Sequence, residues 1–264
     1  MRCIFCKNPS DNSRSIEHIV PESLGNKDHI LPRGIVCDKC NNYFSRKIEG
    51  PVLSQPYFMD ARFRMSIPNK RERIPPRRGL VCQGGIAIEI SKEQDGSQSV
   101  YAENEDGNKA FIKLLNKQKE FTGVFPYSPE PTSDDNQLIS RFLGKMAIEA
   151  LAKKCLEINE DLESTIVNKP ELEPLRKFVR YGISEGQWPI NIRRIYPEKF
   201  LFTEDSSCFE MLHEFDFLIT ETGEWYFVFA NFGIEYAINI AGPVLDGYQR
   251  WLKKNSNQSP LYKE

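Results

Sequence analysis

Two Cys-x-x-Cys pairs near the N-terminus constrain the fold of this chain more than any other feature. The first pair is Cys3 and Cys6, and the second is Cys37 and Cys40. Each pair can direct two sulfur atoms at one ion from a single tight turn, and together they supply the four ligands of a tetrahedral zinc site. Such a site is closed, so we expect a structural zinc ion; unrelated buried thiols are the alternative interpretation.

The bulk composition excludes several classes of protein. The chain has 264 residues and a net charge of −2, so it is not expected to coat a polyanion along its whole surface. No apolar run approaches the roughly 20 residues of a membrane-spanning helix. No signal peptide precedes Cys3, and three of the seven cysteines, Cys82, Cys155 and Cys208, lie outside the pairs. These features favour a reducing, cytoplasmic location over a disulfide framework.

The first 55 residues are predicted to form a small unit that depends on its metal. A segment of this length buries too little core to be stable alone, and a bound zinc ion would supply the missing stability. Residues 17–20 and 34–36 have the pattern of short strands, and residues 41–53 have the apolar spacing of a helix that ends at Gly50-Pro51. The predicted order is strand, strand, helix, with the zinc ion at the base.

Residues 81–264 are predicted to form a larger α+β domain, so the whole chain is assigned to the α+β class. Residues 86–90 and 99–102 flank an Asp95-Gly96 turn, which is a hairpin signal. Ser133 or Asp134 can cap a long amphipathic helix. A shorter helix is expected near residues 175–179 and ends at Gly182. Three strands are expected at 215–220, 225–229 and 236–240, and a last helix at 244–254. We find no catalytic signature in this segment.

Glu17 and His18 lie between the two cysteine pairs. A lone histidine in a small fold is usually a satisfied polar residue, whereas this one follows a carboxylate and is one of three histidines in the chain. Neighbouring residues of an extended strand point to opposite sides, so the two side chains share a site only if the strand bends or a helix packs across its edge. Both residues are candidates for chemistry rather than for structure.

The N-terminal block resembles the HNH endonuclease family in its zinc-stapled ββα-metal form. The matching pieces are the two cysteine pairs, Glu17-His18-Ile19-Val20-Pro21, the Leu24-Gly25 turn, and Asn41-Asn42 directly after Cys40. They lie within about the first 55 residues, and their combination is more specific than any single piece. The resemblance implies an enzyme that hydrolyses phosphodiester bonds with a divalent metal ion.

The resemblance also implies a role for each matching residue. His18 stands where the family's general base takes a proton from the attacking water, and Glu17 stands where an acidic residue binds the catalytic ion. Asn41 is the best match for the second ligand of that ion, with Asn42 as a near alternative. The ion is expected to be Mg²⁺ or Mn²⁺, because oxygen ligands suit both. The products would carry 5′-phosphate and 3′-hydroxyl ends.

The block departs from the family pattern at two places. The usual Asp is replaced by Glu17, which is longer by one methylene, and the Asn that normally precedes the second cysteine pair is missing from residues 31–36. Asn26 or His29 could instead orient the loop that carries the base. The missing Asn motivates an alternative function, a catalytically inactive, zinc-stabilised module that binds nucleic acid.

Partners and biological setting follow from the resemblance alone. DNA is the expected substrate, with RNA as the alternative, and no membrane partner is expected. The domain at residues 81–264 would select the target or regulate cleavage, through a second copy of the chain or an activating partner. Stand-alone proteins of this family with an extra domain resemble bacterial or phage components of defence and restriction, which is an association and not a derivation from these residues.

Residues 56–80 are predicted to be a proline-rich connector with little regular structure. Its basic side chains between positions 62 and 78 are opposed by a single acidic residue, Glu72, and they are Arg62, Arg64, Lys70, Arg71, Arg73, Arg77 and Arg78. A charge run of this kind is usually a solvated linker. Beside a nuclease it is equally a candidate for contacting phosphates, and both interpretations stay open.

A second group of polar side chains lies at the start of a late strand. His213, Glu214 and Asp216 could bind a metal ion, although a solvated strand edge is the favoured interpretation of such a cluster.

Overall fold

The computed structural model describes residues 1–118, 120–133, 137–184, 186–198, 201–204, 207–210 and 212–262, the segment from 201 to 210 by its backbone alone. The chain forms two compact units. The first combines Met1–Val52 with Pro131–Glu264, and the second is Leu53–Glu130. Both contain helices and strands, so the predicted α+β class is confirmed. The units differ from the three predicted segments, because residues 131–264 belong to the same unit as the N-terminal block.

The strands of the described residues are numbered in chain order. They are β1 (Glu17–His18), β2 (Ile30–Leu31), β3 (Arg77–Val81), β4 (Ile86–Lys92), β5 (Gln98–Ala102), β6 (Gly123–Val124), β7 (Ile190–Arg194), β8 (Leu201–Glu204), β9 (Ser207–Glu210), β10 (His213–Ile219), β11 (Trp225–Asn231) and β12 (Ile234–Asn239). Strands predicted for the last fifty residues, at 215–220, 225–229 and 236–240, are confirmed as β10, β11 and β12.

The helices are numbered in the same way. They are α1 (Asp38–Phe44), α2 (Gly50–Leu53), α3 (Pro56–Arg64), α4 (Glu105–Lys117), α5 (Gln137–Glu157), α6 (Glu173–Tyr181) and α7 (Asp246–Lys254). The predicted helix ending at Gly182 is confirmed as α6, since Gly182 has the left-handed backbone of a C-terminal cap. Of the two residues predicted to cap the long helix, Asp134 lies outside the described residues. The other, Ser133, accepts a hydrogen bond at Oγ from Ile192 N of β7.

The N-terminal part of the first unit, Met1–Val52, is called the finger. Its strands β1 and β2 pair antiparallel, with Glu17 opposite Leu31 and His18 opposite Ile30. The connecting loop turns at Gly25, whose φ of +91° is a left-handed conformation that glycine adopts without strain. The expected strand at 17–20 and the turn at Leu24-Gly25 are therefore confirmed.

The predicted strand at residues 34–36 is wrong. These residues form a turn at Gly34, and the second strand is β2, which lies earlier in the chain. Ile35 and Val36 are both buried, whereas successive residues of a strand point to opposite faces. The two apolar side chains are therefore both part of the buried core of the finger without belonging to a sheet.

The helix of the finger runs on past its predicted end. Cys37 caps α1, a π-helical turn (Ser45–Glu49) continues it, and α2 follows. Gly50 and Pro51 thus lie inside the helical segment rather than after it. The π-turn explains this, because Gly50 N bonds to Ser45 O one residue further back than in an α-helix, which accommodates a proline without an N–H.

An antiparallel sheet with strand order β10-β11-β12-β7 forms the centre of the first unit. Helices α5 and α7 cover opposite faces of it, because alternate residues of a strand point to opposite sides. Ile238 of β12 faces Gly144 of α5, whereas Ala237 packs in one cluster with Tyr248 of α7. The sheet is therefore buried on both faces, which explains the continuous apolar runs in β11 and β12.

Helix α6 packs closely against α5 at Gly144. A side-chain carbon at this position would come within 2.7 Å of Val179 Cγ2 and 3.0 Å of Leu175 Cδ1. Only a glycine leaves room for α6 at this distance. The next residue, Lys145, is fully buried and faces the finger instead.

The second unit contains the sheet β5-β4-β3-β6 with α4 packed across it. The predicted hairpin at 86–90 and 99–102 is confirmed, and Asp95 Oδ1 accepts a hydrogen bond from Ser97 N at its turn. Two helices were not expected. Helix α3 occupies residues predicted to lack regular structure, with Pro56 at its first turn, and α4 begins at an Asn104 cap.

Candidate active site and metal centre

The four cysteines of the finger converge. The Sγ atoms of Cys3, Cys6, Cys37 and Cys40 all lie within 4.8 Å of one another, and three of the residues are buried. A tetrahedral zinc ion with Zn–S bonds of about 2.3 Å needs sulfurs about 3.8 Å apart, so the cluster has the right size. No other group of three or more His, Cys, Asp or Glu side chains converges in this way within the described residues.

The electrostatics of the cluster favour a bound cation. Hydrogen bonds, the largest from Cys40, lower the pKa of Cys3 to about 5. Burial raises the pKa of Cys37 to about 11, and the hydrogen bond to Cys3 together with burial raises that of Cys40. One thiolate thus suppresses the ionisation of its neighbours. A bound zinc ion removes this conflict, so the donor set fits the predicted metal.

Asn26 organises the loop between β1 and β2. It is fully buried, and its Nδ2 donates to Val20 O at 2.6 Å and to His29 O at 3.0 Å. Its Oδ1 accepts from Asp28 N at 3.1 Å and from His29 N at 2.8 Å. Of the two residues proposed for orienting this loop, Asn26 supplies the side-chain hydrogen bonds that cross it, whereas His29 contributes backbone groups to them.

Glu17 points away from solvent, into a buried cluster of charges. Lys145 Nζ of α5 lies 2.6 Å from Glu17 Oε1, 2.6 Å from Glu49 Oε1 and 3.0 Å from Glu149 Oε2. It also donates to His18 O at 3.1 Å. One ammonium group therefore joins the finger to the core helix and serves three carboxylates at once.

The ionisation of this cluster is uneven. Burial alone would lower the pKa of Lys145, but the carboxylates of Glu149, Glu17 and Glu49 outweigh it and raise that pKa well above its ordinary value. Burial also raises the pKa of Glu149 well above its ordinary value, and Glu17 adds to this effect. The lysine is thus held in its charged form, whereas burial disfavours the ionised form of Glu149.

His18 and Asn41 lie on adjoining elements of the finger. His18 is half-buried on β1, and Asn41 is half-buried in the first turns of α1. Asn41 Nδ2 donates to Ile16 O at 3.2 Å, which fixes α1 against the residue before β1. Asn42 is exposed. The fold thus brings Asn41 beside the strand that carries Glu17 and His18.

Four of the seven basic residues predicted to contact phosphates are buried or ion-paired within the second unit. Arg62 is buried, and burial lowers its pKa. Arg64 and Arg77 both pair with Asp60, and Arg78 Nε lies 3.1 Å from Glu89 Oε2. The remaining three, Lys70, Arg71 and Arg73, are exposed on a turn in which Asn69 Oδ1 accepts from the backbone N–H groups of the two arginines.

The late polar group does not form a metal site. The ring of His213 packs edge-on against that of His29, with 5.6 Å between centroids. Burial, and then His29, lower the pKa of His213 to about 4. Asp216 pairs with Lys154 at 2.6 Å, and Glu214 accepts from Tyr196 OH at 3.3 Å. Within the described residues, these side chains serve packing and pairing rather than one ion.

These observations define the N-terminal segment as a metal-binding ββα finger with an acid-histidine pair on its first strand. Residues 3–56 match the family model described as HNH endonuclease, which confirms the resemblance for about a fifth of the chain and indicates a nuclease-type function. No curated protein and no solved structure gave a significant match. No helix in the described part of the chain is long and apolar enough to cross a membrane.

The sequence interpretation missed the partners of Glu17. Lys145 and Glu149 are charged residues four positions apart in a helix that otherwise presents apolar residues to the core. This spacing places them on one face, which is the signal that could have identified a buried ion pair. Nothing in the sequence indicates that the pair would meet Glu17 and Glu49.

Proposed function

We propose that this protein is a metal-dependent endonuclease that hydrolyses phosphodiester bonds of DNA, with RNA as the second candidate substrate. The observation that carries the proposal is His18 on β1, beside Asn41 on α1, in the segment that matches the HNH endonucleases. The four-cysteine cluster supports a structural zinc ion that holds the hairpin against the helix. The zinc would shape the finger and take no part in the chemistry, because four thiolates leave no open ligand position.

His18 is proposed as the general base. A neutral imidazole takes a proton from water near cellular pH, and the water oxygen then attacks phosphorus as the bond to the 3′ oxygen breaks. The backbone around His18 is held in place on two sides, by the hydrogen bond from Lys145 to its carbonyl group and by the loop that Asn26 ties together. A fixed base costs less entropy to align with the substrate.

Asn41, Asn42 and Glu17 are the residues proposed to hold the catalytic Mg²⁺ or Mn²⁺. The ion would supply positive charge to a phosphate oxygen and to the leaving oxygen. The two asparagines fit this role, because one is half-buried and one exposed. Glu17 fits less well, because it is buried and its Oε1 is bonded to Lys145. A ligand role for Glu17 requires its carboxylate to leave the lysine.

The decisive test is cleavage of plasmid DNA by the zinc-loaded protein with Mg²⁺ or Mn²⁺. We expect His18→Ala to reduce the cleavage rate by at least about a hundredfold, the usual contribution of a general base, without changing the zinc content. Glu22→Ala is the matched control, since Glu22 is exposed in the same hairpin loop. Equal rates for His18→Ala and wild type would overturn the assignment of the base.

The alternative is a catalytically inactive module that binds nucleic acid. One observation favours it: the carboxylate that the catalytic ion would need is already paired with a lysine. Under this alternative Glu17→Ala and His18→Ala keep nucleic-acid binding and the cellular phenotype, whereas Cys37→Ser loses both. Loss of the phenotype in His18→Ala, with binding intact, selects the enzyme.

The remaining assignments are proposals of smaller scope. Lys70, Arg71 and Arg73 are exposed and are the members of the basic segment best placed to contact phosphates. The part of the chain after residue 80 is proposed to select or regulate the target. A role in bacterial or phage defence, and a cytoplasmic location, rest on the association with the family.

A further inference from the structure

Two arginines outside the matched segment converge on one tyrosine of the finger. Tyr43 of α1 directly follows Asn41 and Asn42, and its hydroxyl accepts a hydrogen bond from Arg141 Nη2 of α5 at 2.8 Å. The guanidinium carbon of Arg180 at the end of α6 lies 3.7 Å from the centre of the Tyr43 ring, which is cation–π contact. Each of the helices α1, α5 and α6 therefore contributes one residue to this cluster.

Within the described residues, neither arginine has a carboxylate partner. Arg141 donates to Val179 O through Nε at 3.1 Å and through Nη2 at 3.0 Å, and its third acceptor is the Tyr43 hydroxyl, so these acceptors are all uncharged. Arg180 Nε is buried and has no hydrogen-bond acceptor among the described residues. Two positive charges thus lie on one ring without a carboxylate between them, and like charges held this close repel unless an anion joins them.

Further positive charge extends along the same helical segment. Arg46 and Lys47, in the π-helical turn that follows α1, are exposed, and no ion pair involves either of them among the described residues. Some other arginines of this unit are ion-paired: Arg2 with Glu163, Arg193 with Glu235 and Arg250 with Glu224. The exposed pair Arg46 and Lys47 lies three and four residues after Tyr43 and therefore on the same side of the helical segment.

We propose that Tyr43, Arg46, Lys47, Arg141 and Arg180 form a phosphate-binding surface for the backbone of a nucleic acid. Guanidinium groups bind phosphate through charge-assisted hydrogen bonds, and the side chains of Arg141 and Arg180 are only half-buried. Arg46 Nε donates to Asn42 O at 3.4 Å, so the surface adjoins Asn42, one of the residues proposed to hold the catalytic ion. The inference rests on the proposed function for its substrate class. It transfers the main phosphate contact from the basic segment at 62–78 to the finger and helices α5 and α6.

The test measures binding separately from cleavage. Fluorescence anisotropy with a labelled DNA duplex, and with an RNA duplex of the same sequence, is recorded over a series of salt concentrations in the zinc-loaded His18→Ala protein. Arg180→Gln in this background should weaken binding about tenfold, the effect of one charge-assisted hydrogen bond. It should also reduce the slope of log affinity against log salt by about one.

The matched control is Lys253→Gln. Lys253 is an exposed cation of α7, on the opposite face of the sheet from α5, and its loss should leave affinity within about twofold. Arg46→Gln, a surface substitution with no packing to lose, should reduce the slope as Arg180→Gln does. A reduced slope on either duplex supports the surface.

The inference is overturned if Arg180→Gln, Arg46→Gln and Lys253→Gln show equal affinity and equal slope on both duplexes. It is also overturned if the protein binds neither the DNA nor the RNA duplex. Because cleavage plays no part in this measurement, the nuclease proposal can fail while the surface stands. Conversely, a protein that cleaves DNA but shows no effect of either Arg180→Gln or Arg46→Gln keeps the nuclease proposal and loses the surface.

Discussion

The finger contains two clusters of charge that are satisfied in opposite ways. The four cysteines all come from the finger, and their mutual effects on pKa call for a cation from outside. Glu17 and Glu49 also come from the finger, but their cation is Lys145, which the protein supplies from α5. The first cluster makes the finger depend on a metal, and the second makes it depend on the rest of its own unit.

The largest expected effect comes from breaking the first cluster. Cys40→Ser should abolish tight zinc binding and lower the free energy of unfolding by on the order of 5 kcal/mol or more, because binding of a structural metal is coupled to folding. Zinc content by mass spectrometry and urea unfolding would measure both. Cys82→Ser is the control, since Cys82 is an exposed cysteine of the second unit. Full zinc content in Cys40→Ser would contradict the closed site.

Breaking the second cluster should cost nearly as much. Lys145→Met leaves three carboxylates without their cation, and removing one partner of a buried ion pair typically costs about 3–5 kcal/mol. Lys154→Met is the matched change on the same helix. Lys154 pairs with Asp216 at the surface, where both side chains are half exposed, so its loss should cost less than about 1 kcal/mol. Thermal or urea unfolding would compare the two.

The pH dependence of the Lys145 variant adds a second check. Carboxylic acids that are protonated need no cation, so the difference in stability between Lys145→Met and wild type should shrink as pH falls towards the ordinary glutamate pKa of about 4.3. A difference that stays constant over this range would mean that the loss comes from packing and not from charge.

His213 differs from both clusters, because it is a partly buried side chain that the folded protein keeps uncharged. Its pKa is lowered from 6.5 to about 4, so the folded state prefers the neutral ring. Between these two values the unfolded state binds a proton on His213 and the folded state does not. Folding is therefore least disfavoured by this residue above pH 6.5, and the free energy of unfolding decreases as pH falls from 6.5 to 4. Wild type should therefore lose up to about 3 kcal/mol more than His213→Gln over that range. Parallel unfolding curves of the two proteins across it would contradict this.

The same contrast explains which features the sequence could predict. The cysteine pairs, Glu17-His18 and Asn41 are close together along the chain, and their spacing indicates a zinc site and a helix that follows it, although the position of the second strand was wrong. Lys145 reaches Glu17 only because β1 packs on α5, a tertiary contact that no local pattern encodes. The basic segment was overestimated because its acidic partners lie outside residues 62–78: Asp60 pairs with Arg64 four residues later in the same helix and with Arg77, and Glu89 pairs with Arg78.

Errors in the fold have equally local causes. Residues 34–36 look like a strand because Ile35 and Val36 are adjacent and apolar, but both side chains are buried from a turn that precedes α1. Gly50-Pro51 looks like a helix end, and one π-turn is enough to carry the helix through it. Hairpins with clear turn residues, such as Asp95-Gly96, were predictable because the turn itself determines the pairing.

The position of Lys145 in the chain also imposes an order in time. A ribosome completes the finger, with its cysteines and its two glutamates, well before it synthesises α5, because residues 53–130 come between them. The ligands of the zinc site are complete at that point, whereas the ion pairs of Glu17 and Glu49 with Lys145 can form only after α5 emerges. During that interval the strand that carries His18 lacks the bond to its carbonyl group. The proposed base would therefore reach its final position late, only after most of the second unit has been made.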